Sequence, residues 1–348
     1  MKILKILLWV IVSLTLLAGG IAALVWHLIF SPAINISEPI QFVVNRQDNL
    51  QSIAERLSDG AGLEYPQVFM LLAQRMNVEK NLRPGKFEIK PGMNNRELAI
   101  LFRKGGTYTV DVVIRGSQDV RKIAKVLSDK IEPAEDEIQA LLNDNKYLSN
   151  FGFDSMSVAA MFIPNTYNMY WYTTADEVLT KLHQEYLKFW DSTKKAKADS
   201  LGLSPLQVAV LASIIDKETN QVDEMPMIAG VYLNRLKNGW KLQADPTVKF
   251  ALDSMSMTRI YNSDTKIEHP FNTYFIDGLP PSPICIPSVQ SQEAVLNYTK
   301  HNFMYFCARP DFSGYHVFAV SLDAHNRNAA IYHKFLNKLE KEKNANPK

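Results

Sequence analysis

The N-terminal segment contains a long apolar run without charge, which is long enough to span a membrane. Lys2 and Lys5 precede a stretch from Ile6 to Ser37 that contains no Asp, Glu, Lys or Arg, and most of Ile6–Phe30 is Leu, Ile, Val, Ala or Trp. About 20 apolar residues are enough for a helix to span a bilayer. The run therefore predicts a transmembrane helix, with residues 1–31 forming a short cytoplasmic stub and the membrane anchor.

Charge on the two sides of this run predicts its orientation. Positive residues precede it and none follow closely, which places the N-terminus inside and the bulk of the chain outside the cytoplasm after a single pass. The alternative is a cleaved signal peptide, whose apolar region is roughly 7–15 residues and ends at a small-residue site. Ala18-Gly19-Gly20 offers a weak site of this kind, but apolar residues continue through Phe30. The length favours a retained anchor.

Composition argues against several classes of function. The formal net charge is +2 and basic residues are scattered among acidic ones, so we expect no nucleic-acid partner. The seven histidines are dispersed and no His-Glu-x-x-His occurs, which gives a zinc hydrolase little support. Cys285 and Cys307 lack metal-ligand spacing, and they could form a disulfide or be two small buried residues. We therefore expect neither a metal nor a cofactor.

After the anchor, the hydrophobic pattern predicts a β-α-α-β order. Phe42–Val44 is predicted as a short strand, and Leu50–Leu57 and Pro66–Met76 carry apolar residues at helical spacing. Lys86–Ile89 alternates as a second strand. Residues 40–107 are therefore predicted to form one small domain.

A strand-turn-helix unit recurs 70 residues later. Val43-Val44 and Ile53-Ala54-x-x-Leu57-Ser58-Asp59 match Val113-Ile114 and Ile123-Ala124-x-x-Leu127-Ser128-Asp129. The recurrence predicts that residues 108–200 begin with a second unit of this kind and continue as a helical linker region. Within them, the ring-rich segment 162–172 could be a hydrophobic wedge between domains or a sugar-stacking surface.

A buried helix that ends on a carboxylate is the strongest candidate for chemistry. Ser204 and Pro205 are typical of a helix N-cap and first helical residue. Residues 206–215 are apolar on nearly all sides, and Glu218, four residues after Ile214, continues an apolar stripe. Burial raises the pKa of a carboxylic acid, as a general acid near neutral pH requires. The alternative is a solvated Glu at a frayed helix end.

Several short motifs surround and follow Glu218, and each is weak on its own. In chain order they are Asp216-Lys217-Glu218-Thr219, Tyr232-Leu233-Asn234-Arg235, Leu242-Gln243-Ala244-Asp245-Pro246-Thr247, Phe271-Asn272-Thr273-Tyr274, Leu279-Pro280-Pro281-Ser282-Pro283-Ile284 and Ala324-His325-Asn326. Together and in this order they resemble the MltG (YceG-like) endolytic murein transglycosylase family. The resemblance extends from the N-terminal anchor to about Asn326.

The resemblance implies an α+β fold. An N-terminal transmembrane helix and a LysM-like β-α-α-β region would precede a mainly helical, lysozyme-like catalytic domain with short strands, here residues 201–338. The charged residues 339–348 are predicted to be a disordered tail. For residues 40–107, a generic α+β packing domain without a ligand stays an alternative.

The resemblance also implies a function. The family cleaves the β-1,4 bond between N-acetylmuramic acid and N-acetylglucosamine inside peptidoglycan glycan strands, which leaves 1,6-anhydro ends and limits nascent strand length. Peptidoglycan synthases are the implied protein partners, and no cofactor is implied.

Site residues follow by matching motifs. Glu218 corresponds to the catalytic acid, which then acts as base. Asp245 could instead be structural, capping a helix that starts at Pro246. Substrate-binding side chains are expected at Gln243, Asp245, Asn272 and Tyr274. Supporting side chains are expected at Asp216, Thr219, His316, His325 and Asn326.

Two acidic positions of the family are absent, since Ala159 and Asn165 stand there. Their absence keeps a catalytically silent, membrane-anchored scaffold that binds peptidoglycan as one alternative. A hydrolytic muramidase with the same acid is another, and it would need a base or a held water, with Asp245 or Asp216 as candidates. A transglycosylase needs only one carboxylate, because the muramic 6-hydroxyl is a tethered nucleophile.

Overall fold

Helices and short two-stranded sheets build two compact units. The computed structural model describes residues 2–105, 108–257 and 260–345. The first unit contains the chain up to Val110 together with Asn168–Thr173, and the second contains Asp111–Tyr167 and the chain from Thr174 on. The boundary at Val110 lies near the predicted end of the first domain, whereas the predicted boundary at residues 200 and 201 lies inside the second unit.

The elements are as follows. The helices are α1 Lys2–Phe30, α2 Leu50–Ala61, α3 Pro66–Arg75, α4 Val78–Asn81, α5 Asn95–Lys104, α6 Ile123–Ser128, α7 Glu135–Asn143, α8 Asn145–Ser149, α9 Ala175–Phe189, α10 Ser192–Ser200, α11 Pro205–Glu218, α12 Met225–Lys237, α13 Asp245–Ala251, α14 Val289–Leu296 and α15 Leu322–Ala345. The strands are β1 Ile40–Val44, β2 Gly85–Ile89, β3 Thr109–Ile114, β4 Asn165–Tyr170, β5 Tyr305–Ala308 and β6 His316–Ala319.

In the first unit, an antiparallel pair of strands shares one core with the helices. β1 pairs with β2, with Ile40 opposite Ile89 and Val44 opposite Gly85. Alternate residues of the two strands are buried, as expected for a sheet with one face on the core. The Phe102 ring of α5 lies at the centre of this core, with the rings of Phe42, Phe69 and Phe87 around it. The predicted strands and helices are present, and the short α4 was not predicted.

Local capping determines where α2 begins and ends. Asn49 accepts a hydrogen bond from the Ser52 backbone N–H at 2.9 Å, and the Ser52 hydroxyl oxygen accepts one from the Asn49 N–H at 3.1 Å. This reciprocal pair satisfies two backbone donors at the helix start. The helix ends at Gly62, whose φ of +61° lies in the left-handed region that favours glycine.

Helix α1 leads directly into the first unit. Its segment Lys5–Phe30 is long and apolar enough to cross a membrane, with a mean hydropathy of 2.4, and none of its most apolar stretch is buried within the protein. At its end, the fully buried Asn95 donates from Nδ2 to the Leu28 carbonyl at 2.8 Å. The backbone N–H groups of Ala33 and Ile34 then donate to the Met93 carbonyl. The helix end is therefore fastened to the folded unit.

The predicted second strand-turn-helix unit is present as β3 followed by a 3₁₀ turn and α6. Ile123, Ala124 and Leu127 of α6 are buried, as are their counterparts in α2. Strand β3 pairs with β4. In the ring-rich segment that follows, Phe162 is a core residue, whereas Tyr170 is half-exposed and stacks on Tyr172.

The core of the second unit surrounds α11. A capping box formed by Ser204 and Gln207, with Pro205 as the first helical residue, begins this helix where the sequence predicts. It packs against α12 and α14, and residues 208–215 are buried. A hairpin of β5 and β6 pairs Tyr305 with Ala319, and α15 follows it. Helix α15 continues to Ala345, into the range 339–348 predicted as a disordered tail, and residues 346–348 lie outside the described residues.

Candidate active site

A cavity of about 340 Å³ opens at the C-terminal end of α11, within the second unit. Side chains from α11, α12, α13, α15, strand β5 and two loops line it. They are Glu218, Tyr232, Arg235, Gln243, Asp245, Tyr274, Tyr305, Phe306, Leu322 and His325. The fold thus brings together Glu218 with four more of the residues that the sequence singled out: Gln243, Asp245, Tyr274 and His325.

Glu218 lies in this cavity rather than in bulk water. Its side chain is half-buried, and Oε1 accepts a hydrogen bond from the Tyr232 hydroxyl at 2.5 Å. Burial is the main cause that raises the pKa of Glu218 to about 7; the hydrogen bond from Tyr232 opposes the rise, and the charge of Asp245 adds to it. A carboxyl group with this pKa can both give and take a proton near neutral pH.

Tyr232 and Arg235 face the cavity from α12, three residues apart and so on one side of the helix. Burial raises the pKa of Tyr232 well above its ordinary value, so the phenol stays a hydrogen-bond donor. Arg235 donates from Nε to the Met304 carbonyl at 2.8 Å and from Nη1 to the Leu242 carbonyl at 2.5 Å. It therefore ties two walls of the cavity together. Sequence reasoning quoted these residues in a motif but gave them no role; polar residues at this spacing in an apolar helix were the available signal.

Asp245 and Tyr274 form a second carboxylate–phenol pair. The Tyr274 hydroxyl donates to Asp245 Oδ1 at 2.6 Å. The alternative that Asp245 caps a helix starting at Pro246 is wrong, because α13 includes Asp245 and its N-cap is Ala244, without a capping side chain. The hydroxyl oxygen of Thr273 instead accepts from the Ala244 N–H at 2.9 Å. The Asp245 carboxylate therefore remains available to the cavity.

Gln243 reaches the cavity from a strained backbone. Its φ of +51° is uncommon for a residue other than glycine. The Gln243 N–H donates to the Thr273 carbonyl at 3.1 Å, which holds the residue in this conformation. Strain of this kind is often found at ligand sites.

Asn272 does not line the cavity. It is fully buried, and its Nδ2 donates to the carbonyls of Thr265 and Ile267 at 2.9 and 2.8 Å. Its Oδ1 accepts from the Tyr274 N–H at 3.0 Å. Asn272 thus shapes the loop that carries Tyr274, and its side chain does not reach the cavity for the expected substrate contact.

Asp216 and Thr219 lie outside the cavity lining. Asp216 accepts hydrogen bonds from the Ser288 N–H and hydroxyl, both at 2.6 Å, and from the Ser291 hydroxyl at 3.0 Å. Burial raises the pKa of Asp216, and these hydrogen bonds oppose the rise. The contacts join α11 to the start of α14. Thr219 is the C-cap of α11, and its hydroxyl oxygen accepts from the Gln221 N–H at 3.0 Å.

His316 does not line the cavity but packs against Phe306, which does. Its Nδ1 lies 2.7 Å from Oε2 of the buried Glu224, and its backbone N–H donates to Glu224 Oε1 at 2.7 Å. The Phe306 ring, which lines the cavity, packs edge-on against both His316 and Tyr232. Asn326 is exposed on α15 and is not a lining residue. The role of Glu224 was not anticipated.

No metal-binding cluster of three or more His, Cys, Asp or Glu side chains occurs within the described ranges. Cys285 and Cys307 are both free thiols in the structure. Cys285 is buried, and burial raises the pKa of its thiol to about 12. The side chains that line the cavity can transfer protons and form hydrogen bonds.

Comparison with known proteins assigns the chain to a family. The model of the YceG-like family matches residues 42–331. The endolytic murein transglycosylase of Bacillus subtilis (strain 168) is 25% identical over 258 residues, which are 70% of this chain and 71% of that protein. The protein of the same name from Streptococcus pneumoniae (strain R6) is 25% identical over 316 residues, 81% of this chain but only 56% of that longer protein.

A solved structure has the same fold. The crystal structure of a YceG-like protein from Listeria monocytogenes superposes with a TM-score of 0.54 at 22% identity, and the match covers 84% of this chain and 99% of that one. The family model and the fold agree along most of the sequence. The chain belongs to the YceG-like family.

Proposed function

We propose that this chain is a membrane-anchored lytic transglycosylase that cleaves peptidoglycan glycan strands internally. It breaks the β-1,4 bond between N-acetylmuramic acid and N-acetylglucosamine and leaves 1,6-anhydro ends. The observation that carries the proposal is Glu218, a carboxyl group with a pKa of about 7 in a cavity rich in hydrogen-bonding side chains. Membership of the YceG-like family, with relatives named endolytic murein transglycosylases, supports the substrate.

The reaction needs one carboxyl group that acts twice. Protonated Glu218 gives its proton to the bridging oxygen as the bond to the anomeric carbon breaks. The 6-hydroxyl of the same muramic residue attacks that carbon and gives its proton to the Glu218 carboxylate. The catalyst is restored, and no water is consumed. Because the nucleophile is tethered to the reacting sugar, no second carboxylate has to activate it.

The neighbouring side chains have matching roles. Tyr232 orients the Glu218 carboxyl through its 2.5 Å hydrogen bond. The Asp245 carboxylate lies in the same cavity and favours positive charge at the anomeric carbon in the transition state. Gln243 and Tyr274 are proposed to bind hydroxyl and acetamido groups of the sugars. Asn272 and His316 hold the walls in place.

Replacement of Glu218 by Gln tests the proposal. Purified protein is incubated with isolated sacculi, and the soluble products are identified by mass spectrometry. We expect Glu218→Gln to lower the formation of anhydro ends by about 10²- to 10⁴-fold, because the acid is lost while the shape is kept. Glu268→Gln, an exposed carboxyl outside the cavity lining, is the matched control and should be as active as the wild type.

The same digest separates the alternatives. Reducing ends in place of anhydro ends would identify a hydrolytic muramidase. Wild-type protein that binds sacculi but releases no products would identify a silent scaffold.

Membrane attachment and glycan binding by the first unit are part of the proposal. The apolar α1, with Lys2 and Lys5 before it, supports a single-pass anchor with both units on the periplasmic side. The order β1-α2-α3-α4-β2 with β1 paired to β2 supports a LysM-like region that binds glycan. A place beside peptidoglycan synthases and control of nascent strand length follow from the family resemblance.

A further inference from the structure

One wall of the active-site cavity is aromatic. The imidazole of His325, in the first turn of α15, stacks on the Tyr305 ring at 5.2 Å with the planes tilted by 23°. Trp240, which is 44% exposed, packs edge-on against the Tyr305 ring at 5.9 Å. Leu322 completes the lining beside His325. Such a surface suits the apolar face and the methyl substituents of an amino sugar.

The two nitrogens of His325 have different environments. Nδ1 is buried and has no hydrogen-bond partner among the described residues. Nε2 is not among the buried atoms without a partner, and the His325 side chain lines the cavity, so Nε2 is the ring nitrogen that is open to a ligand there. A neutral imidazole carries its proton on one nitrogen only. Orphaned buried donors are rarer in proteins than under-satisfied acceptors, so the proton belongs on Nε2.

The charge state of the ring agrees with this assignment. Burial lowers the pKa of His325, and the positive charge of Arg235 lowers it further. An imidazolium would also place an N–H at the sealed Nδ1, where the described residues offer it no acceptor. His325 is therefore a neutral donor at the pH where Glu218 works.

Several other donors around the cavity are already committed to partners within the protein. The hydroxyls of Tyr232 and Tyr274 donate to Glu218 and Asp245. Arg235 uses Nε and Nη1 on backbone carbonyls. The Nε2–H group of His325 is thus a donor that the protein leaves for a ligand, and it calls for a neutral acceptor beside an apolar patch.

We propose that His325 is a substrate-contacting residue whose Nε2–H group donates a hydrogen bond to the acetamido carbonyl oxygen of an N-acetylated amino sugar. The acetamido methyl group then lies against Leu322 and Tyr305. This inference rests on the proposed function, and it makes His325 a determinant of specificity for N-acetylated strands.

Two replacements of His325 test the contact. A glutamine amide nitrogen reaches about as far as Nε2, whereas an asparagine amide nitrogen lies near the position of Nδ1. On N-acetylated glycan strands we expect His325→Asn to lower kcat/KM by about tenfold, mainly through KM, and His325→Gln to stay within about threefold of the wild type. On chemically de-N-acetylated strands, the wild type and both variants should be equal. Equal losses in the two variants, or a loss that persists on de-N-acetylated strands, would overturn the proposal.

Controls separate this inference from the proposed function. His333→Gln changes an exposed histidine of the same helix and should leave kcat/KM unchanged. Thermal unfolding of each variant identifies any loss that comes from the fold. Absence of products from the wild type would contradict the proposed function, whereas normal products with an unchanged His325→Asn variant would contradict only the histidine contact.

The proton position can be measured without a substrate. Two-bond proton–nitrogen NMR spectra of histidine-labelled protein report which ring nitrogen is protonated, and the His325→Gln spectrum assigns the signal. We expect the Nε2–H tautomer for His325. The Nδ1–H tautomer or a charged ring near neutral pH would overturn the proposal.

Discussion

Burial of Glu218 suits it to acid catalysis and also opposes folding once the group is ionised. Its pKa rises from 4.5 to about 7 in the folded protein, so the folded state binds the proton more tightly than the unfolded state does. The resulting loss of stability is absent below about pH 4.5, grows as the pH rises, and is complete above about pH 7.

Glu218→Gln should therefore stabilise the protein at high pH and not at low pH. We expect the free energy of unfolding at pH 8 to exceed that of the wild type by on the order of 1 to 2 kcal/mol, with little difference at pH 4. Urea unfolding at the two pH values measures this. A difference that does not depend on pH would show that the carboxyl is not buried as described.

Charges near Glu218 should move the pH profile in opposite directions. The negative charge of Asp245 raises the pKa of Glu218, and the positive charge of Lys249 lowers it. Activity that needs the protonated acid falls as the pH passes this pKa. We expect Asp245→Asn to move the alkaline limb of kcat/KM to lower pH and Lys249→Met to move it to higher pH. Profiles that shift together, or not at all, would contradict the assignment of that limb to Glu218.

The surrounding sequence indicates the role of some site residues better than that of others. Glu218 could be predicted because it continues an apolar helical stripe. Asn272 could not, because an Asn in a loop can serve a ligand as well as the backbone, and only the folded loop shows its amide bonded to carbonyls. Tyr232 and Arg235 were not assigned a role because they sit in a helix whose other residues form core.

At the scale of helices and strands, Asp216 links α11 to α14 in the second unit. Its carboxylate accepts three hydrogen bonds at the N-terminus of α14, and Ser288 also caps that helix. We expect Asp216→Ala to lower the free energy of unfolding by about 2 to 3 kcal/mol, since it leaves buried donors without a partner. Ser291→Ala, which removes one of the three bonds, should cost about 1 kcal/mol.

Chemical denaturation measures these losses, and sacculus digests show whether the products change. Anhydro ends should remain the product of the Asp216→Ala variant. Loss of product formation in a variant that stays folded would instead assign Asp216 a role in the chemistry.

Helices and strands could be predicted where residues close in sequence define them, and could not where residues distant in sequence define them. The starts of α2 and α11 could be predicted because capping side chains lie next to them in sequence. The wall made by Tyr305 and His325 could not, because it depends on the β5–β6 hairpin and on the first turn of α15 meeting Glu218, Tyr232 and Arg235, which lie 70 to 107 positions earlier in the chain. Each of these strands is only four residues long, which gave little local indication of the pairing.

For the whole molecule, retention of α1 as a membrane anchor stays a prediction, and it can be tested directly. A signal peptidase would separate α1 from the rest, whereas the Leu28 carbonyl is bonded to Asn95 in the first unit. We expect the intact mass of protein purified from membranes to equal that of the uncleaved chain, apart from processing of Met1. A mass that lacks residues 1–20 would contradict the anchor.

The bond between Asn95 and the end of α1 has a mechanical consequence. Helices respond to a thinner or thicker bilayer mainly by tilting. Since the chain passes from α1 into folded backbone at Ala33 and Ile34 without a slack tether, the first unit must turn with the helix. In the proposed membrane-anchored protein, the lipid composition would then set the angle at which that unit meets the cell wall.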